Sequence, residues 1–141
     1  TLSKEDCGFV YRNSNLKNTV ILEAAFKLPI GNKEEISQKR KELIMNRNQA
    51  QPVEVPNAGC MFKNPKDNKA AILIDQCGLK GTKFGGAMVS TKHANFIVNF
   101  DNATAQDVIE LVKIVKSTVQ QKTGIDLEME VKLIGFEEVT I

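Results

Sequence analysis

Thr104-Ala105-Gln106-Asp107-Val108-Ile109-Glu110-Leu111-Val112-Lys113-Ile114-Val115-Lys116-Ser117-Thr118-Val119-Gln120-Gln121-Lys122-Thr123-Gly124 is the stretch on which the fold turns. Thr104 and Asp107 stand in capping-box spacing, a hydroxyl acceptor followed three residues later by an acid. Val108, Leu111, Val112, Val115 and Val119 recur at helical spacing and predict one buried stripe. Gly124 stops the helix, because glycine adopts the left-handed conformation that ends one.

A single-striped helix needs a surface to cover, and the residues before it supply one. Ala87–Ser90 and Asn95–Phe100 are strand-like runs, set off by Gly81, Gly85 and Gly86 and broken by Asp101-Asn102. A short helix over about 69–77 places Ala70, Leu73, Ile74 and Cys77 on one face and ends at Gly78. Downstream, about Glu128 to Phe136, Met129, Val131 and Leu133 alternate with Glu128, Glu130 and Lys132, which predicts a last strand. Upstream, Val20–Leu28 is a nearly continuous apolar run and reads as a buried strand. Asn32 and Glu35 open a helix expected to reach Arg47, with Ile36, Leu43 and Ile44 inward. Between them and the short helix, Gln49–Lys69 reads as loop, punctuated by Pro52, Pro56, Gly59 and Pro65. The fold class is therefore α+β, a small mixed or antiparallel sheet packed with two to three helices.

Composition narrows the functions. The chain has 141 residues, 42% hydrophobic and 26% charged, an ordinary globular balance. A formal charge of +2, no tryptophan and one tyrosine leave neither a basic patch nor a stacking platform, which argues against nucleic acid. No apolar run reaches the roughly 20 residues of a membrane span. Cys7, Cys60 and Cys77 are odd in number and widely spaced, against a disulfide framework or zinc site and in favour of a reducing cytoplasm. The start, Thr1-Leu2-Ser3-Lys4-Glu5-Asp6, resembles neither a signal peptide nor a natural start, and reads as a cut inside a longer chain.

Chemistry concentrates in Asn57-Ala58-Gly59-Cys60-Met61-Phe62-Lys63-Asn64-Pro65. Gly59 removes a side chain where a substrate could pass close. Cys60 reads two ways: a thiol that donates a proton or attacks as nucleophile, or an inert buried thiol. Glu130 is either a reactive carboxyl or the solvent face of an alternating strand. Arg12, in Tyr11-Arg12-Asn13-Ser14, suits a carboxylate or phosphate or is an ordinary surface cation. His93 lacks metal- or triad-spaced partners, and Gly85-Gly86 lacks the surroundings of a phosphate loop.

Four segments in order carry a family likeness: Tyr11-Arg12-Asn13-Ser14; Asn57-Ala58-Gly59-Cys60 through Lys63-Asn64-Pro65; Gly85-Gly86-Ala87-Met88-Val89-Ser90-Thr91-Lys92-His93-Ala94-Asn95-Phe96; and Glu130-Val131-Lys132-Leu133-Ile134-Gly135. In these the chain resembles the C-terminal half of the UDP-N-acetylenolpyruvoylglucosamine reductases. The resemblance implies residues 1–50 as the tail of a flavin-binding domain, 51–128 as a substrate-binding domain and 129–141 as a return strand. It implies an FAD- and NADPH-dependent oxidoreductase of peptidoglycan precursor synthesis acting on a UDP-sugar, with the FAD held mainly by an absent N-terminal region. Cys60 would then be the proton donor, with Glu130 and Arg12 assisting at the substrate carboxylate and enolate. Asn64, Lys63, Arg47 and Tyr11 would contact substrate. Lys132 stands where the family usually has arginine, the residue suited to a bidentate contact. The fragment alone is expected to be inactive, and the rival reading is a non-catalytic nucleotide-sugar-binding module.

Overall fold

The structure, a computed structural model, describes residues 1–136. The chain divides into two compact units, Thr1–Lys33 and the residues from Glu34 onward.

The first unit is built of turns. Ser3 donates from its amide and hydroxyl to Asp6 Oδ2, at 3.0 and 2.6 Å, which closes the opening turn. Val10 and Asn13 form an isolated bridge around Tyr11-Arg12. The buried strand expected over Val20–Leu28 is absent. Residues 19–32 have no regular structure, and Val20, Ile21, Leu22, Phe26, Leu28 and Ile30 all stand in solvent. A strand's backbone groups need a neighbouring strand, and no described strand pairs with this run.

Helix α1, Lys33–Ala50, starts at the boundary and belongs to the second unit from Glu34 onward. It starts where Asn32 and Glu35 predict, with Glu34 and Glu35 in its first turn and Arg47 in its last, in the sense that favours the helix dipole. The inward face expected for it does not exist: Ile36, Leu43 and Ile44 are exposed and the helix buries no residue. Its apolar positions are too few, and separated by too many charges, to form a stripe.

The remainder is a sheet covered by two helices. Strands β1 (Asn57–Cys60), β2 (Lys83–Phe84), β3 (Ala87–Val89) and β4 (Phe96–Asn99) form an antiparallel sheet in the order β1-β4-β3-β2. The fold is thus the expected α+β class with an antiparallel sheet. Helix α2 (Ala70–Gln76) buries Ala70, Leu73 and Ile74, and Gly78 follows it with φ +74°. Helix α3 (Ala105–Thr123) buries Leu111, Val112, Val115 and Val119 of the predicted stripe, and Ile109 besides. Its capping box is complete. Thr104 Oγ1 accepts from the Asp107 amide at 3.1 Å, and Asp107 Oδ2 accepts from Thr104 at 2.9 Å. The amide of Thr104, and then that of Gly86, hold the Asp107 carboxyl below its ordinary pKa. Gly124 ends the helix at φ +73°. The core joins α2 and α3 to Ala87, Val89 and Ile97 of the sheet, together with Met61, Phe62 and Leu127.

Two further expectations change. Asn57–Cys60, read as loop, is an edge strand. The strand expected over 128–136 shrinks to a single bridge between Met129 and Phe62, flanked by the backbone bonds of Met61 to Glu130 and of Lys63 to Glu128, beyond the end of β1. Its alternation survives in part: Met129 and Val131 pack on the core while Glu128 and Lys132 are exposed. Residues 137–141 of the expected return strand lie outside the described residues.

Candidate active site

The reactive segment is shaped by a break in the sheet. Asn57 pairs with Val98 and Cys60 with Phe96, so three steps along β1 match two along β4. The extra residue makes a β-bulge, a device that re-aims a side chain. Gly59 has φ +83°, and a Cβ there would meet only open space. Glycine is therefore required for its backbone conformation rather than for room. Asn57 braces the approach: its Oδ1 accepts from the Gly59 amide at 2.9 Å, and its Nδ2 donates to the carbonyls of Pro52 at 2.9 Å and Val55 at 2.8 Å. Directly opposed residues share a face of an antiparallel pair, so Cys60 lies with Phe96 and Val98, away from Ile97 and Val89, which join the α3 core.

Past Cys60 the chain is gripped from both edges. On one edge, Met61 carbonyl accepts from the Glu130 amide at 2.9 Å, and the Lys63 amide donates to Glu128 carbonyl at 2.8 Å. These bonds bring Glu130 to within one residue of Cys60 across the pairing. Cys60 and Glu130 are both half-buried, and Glu130 Oε2 is buried. On the other edge stands Asn95, itself buried. Its carbonyl accepts from the Met61 amide at 2.8 Å, its Oδ1 accepts from the Phe62 amide at 3.0 Å, and its Nδ2 donates to Phe62 carbonyl at 2.8 Å.

The other candidates have local engagements. Lys63 Nζ is ion-paired with Glu128. Asn64 Oδ1 accepts from the Ala70 amide at 3.1 Å and so serves the first turn of α2. Asn64, Lys69, Ile72 and Gln76 line one open groove. Arg47 Nε donates to Gln51 Oε1 at 3.1 Å at the end of α1. Tyr11 and Arg12 belong to the first unit, where the guanidinium carbon lies 5.3 Å from the Tyr11 ring centre. Arg12 holds φ +57°, which a side chain adopts only at a cost of about 1 kcal/mol. His93 packs edge-on against Phe96, ring centres 4.8 Å apart, and burial lowers its pKa.

Reasoning from sequence did not single out Asn95 or Asn57. A signal for Asn95 was present: an amide in the otherwise apolar Ala94-Asn95-Phe96-Ile97-Val98 must satisfy its polar atoms once buried.

A family model for the C-terminal domain of UDP-N-acetylenolpyruvoylglucosamine reductase matches residues 51–134. The chain belongs to the UDP-N-acetylenolpyruvoylglucosamine reductase family. It is 47% identical to the reductase of Chloroherpeton thalassium over 97% of its own length and 47% of that protein's. It is 48% identical to reductase 2 of Bacillus anthracis over 96% of its own length and 45% of that protein's. Among solved structures it is similar to the reductase of Thermus caldophilus, with 42% identity and a TM-score of 0.77 over 91% of this chain and 46% of that one. The chain thus spans about half the length of the reductases it matches. Within it, Gly85-Gly86 does not fit a flavin diphosphate: a Cβ on Gly85 would meet the Asp107 carboxylate at 2.3 Å, and one on Gly86 the Asp101 carbonyl at 2.1 Å. Both glycines serve close packing of the chain on itself.

Proposed function

We propose that this chain supplies the substrate-binding and protonating part of an FAD-dependent, NADPH-driven reductase that converts the enolpyruvyl ether of UDP-N-acetylglucosamine to UDP-N-acetylmuramate, in peptidoglycan precursor synthesis. The observation that carries the reading is the bond from the Glu130 amide to Met61 carbonyl, which brings the segment that carries Glu130 against the residue that follows Cys60. Residues 1–50 are the tail of the flavin-binding domain, 51–128 the substrate-binding domain and 129–141 the returning segment; the start of the family match at residue 51 supports the first boundary. A flavin, held mainly by an N-terminal region, would supply the hydride that the substrate's methylene carbon takes up. Its NADPH requirement, and a cytoplasmic setting suited to three cysteines without a disulfide, belong to the same reading.

The work of these residues is the proton. Hydride addition leaves an enolate, whose electron pair takes the hydrogen of Cys60 Sγ as the new C–H bond forms. The resulting thiolate is reprotonated from solvent. Glu130 and Arg12 assist by hydrogen bonding to the substrate carboxylate, where negative charge develops. The open groove lined by Asn64 and Gln76 suits the nucleotide, with Lys63, Arg47 and Tyr11 as further contacts and cations suited to diphosphate.

The test is made in a full-length reductase that contains this chain. Cys60→Ser keeps an acidic hydrogen in nearly the same volume and should retain substantial turnover. Cys60→Ala removes the donor and should slow reoxidation of reduced flavin by substrate about 10²–10⁴-fold, while reduction by NADPH is unchanged. Stopped-flow absorbance separates the two half-reactions, and normal reoxidation in the alanine variant ends the proton-donor reading.

A further inference from the structure

We infer that Asn95 is the positioning residue that fixes Cys60 against Glu130. The inference rests on the reading of Cys60 as proton donor. Pairing of β1 with β4 ends at Cys60 opposite Phe96. The next two residues still expose three backbone groups toward β4: the amides of Met61 and Phe62 and the carbonyl of Phe62. Asn95 meets all three, the first with its carbonyl and the other two with its side-chain amide. One side chain thereby acts as the continuation of a strand. The residue must accept and donate within a single planar group, and an amide does both. Asn95 is 3% exposed and Phe62 2%, so water cannot substitute at either group.

The opposite edge explains why this matters for the reaction. Met61 carbonyl and the Lys63 amide are bonded to the 128–130 segment that carries Glu130. The segment just after Cys60 is therefore suspended between Asn95 and Glu130's own backbone. Releasing the Asn95 edge leaves Met61 and Phe62 held from one side and lets the thiol swing relative to the carboxyl. A proton transfer to carbon depends on such alignment. Asn95 does this without touching substrate.

A double-mutant cycle tests it in the full-length reductase. Asn95→Asp preserves size and the acceptor for the Phe62 amide but turns a second oxygen toward Phe62 carbonyl. Reoxidation of reduced flavin by substrate should slow at least tenfold, with reduction by NADPH within twofold of wild type. Lowering the pH should recover part of the loss relative to wild type, since a protonated aspartic acid regains the donor. In a Cys60→Ala background the same change should cost no more than twofold, because there is no donor left to misplace. An equal loss in both backgrounds would show that Asn95 acts elsewhere and would overturn the inference. If Cys60→Ala alone reoxidises normally, the donor reading has failed, and the single variant shows it apart from any result with Asn95. Should Asn95→Asp not fold, amide hydrogen exchange in the unaltered protein decides: Met61 and Phe62 should be as protected as β4, and exchange at the rate of a surface loop would overturn the clamp.

Discussion

Helices α1 and α3 differ by one residue in length, 18 against 19, yet α1 buries none of its side chains and α3 buries Ile109, Leu111, Val112, Val115 and Val119. Both start where a polar residue and an acid three positions on predict a start. Local signals therefore locate a helix but do not say whether it packs. In α3 the apolar residues follow one another at three and four residues and make a continuous stripe. In α1, Ile36 is followed by Ser37-Gln38-Lys39-Arg40-Lys41-Glu42 before Leu43 and Ile44. Helix α1 stands on good helix formers and favourable end charges, and helices of that length are marginal on those terms alone. Helix α3 stands on burial.

The contrast is broken most directly at its strongest point. Leu111→Ala should destabilise the second unit by about 2–5 kcal/mol, the range for a fully buried leucine, measured by urea unfolding. A loss below about 1 kcal/mol would put α3 on the same footing as α1. Thr104→Ala should cost about 1 kcal/mol through the lost cap, and should raise the Asp107 pKa only slightly, observable by carbon NMR, since the Thr104 and Gly86 amides that chiefly lower it remain and only the hydroxyl's smaller contribution is lost.

Acid should separate the two regions with a smaller effect. Burial holds the His93 pKa below its ordinary value of 6.5. The unfolded chain then binds more protons than the folded one as pH falls through about 6.5, so stability is intact above that pH and declines below it. The melting temperature of the packed region should drop between about pH 6.5 and 5, and His93→Gln should flatten that part of the profile. A wild-type melting curve independent of pH across this range would contradict the half-buried, neutral imidazole. The smallest effect is expected at Leu43→Ala in α1, within about 0.5 kcal/mol, by the same urea measurement that reports on Leu111.

Much of the packed region was legible from the sequence because each signal there was reinforced by another. The α3 stripe had a cap and a stop, α2 had its face and Gly78, and β3 and β4 were flanked by glycines and by Asp101-Asn102. The failures share a physical cause. Val20–Leu28 has strand composition, but a strand is a relation between segments, and composition says nothing of the partner. Asn57–Cys60 was hidden because prolines and a glycine mark both loops and bulged edges. Glu128–Phe136 alternates as a strand should, yet only Met129 finds an opposite residue. For the candidate site, the order of motifs singled out Cys60 and Glu130, and backbone bonds join residues 61–63, just after Cys60, to 128–130. The clamp by Asn95 was not read, because an asparagine's partners are set by tertiary structure.

The bulge at Gly59 also decides the side of the sheet on which the thiol appears. Side chains in a regular strand alternate between faces, so Asn57 and Cys60, three apart, would point to opposite sides; the additional residue lets both align with Val98 and Phe96, which lie on one side. Straightening the strand at constant length would bring position 59 opposite Phe96 and turn the thiol through the sheet toward the α3 core. A loop elsewhere on the surface can gain or lose residues and merely change its outline. Here loss of the bulge at constant length reverses the parity of the strand, and with it the side of the molecule on which the sulfur appears.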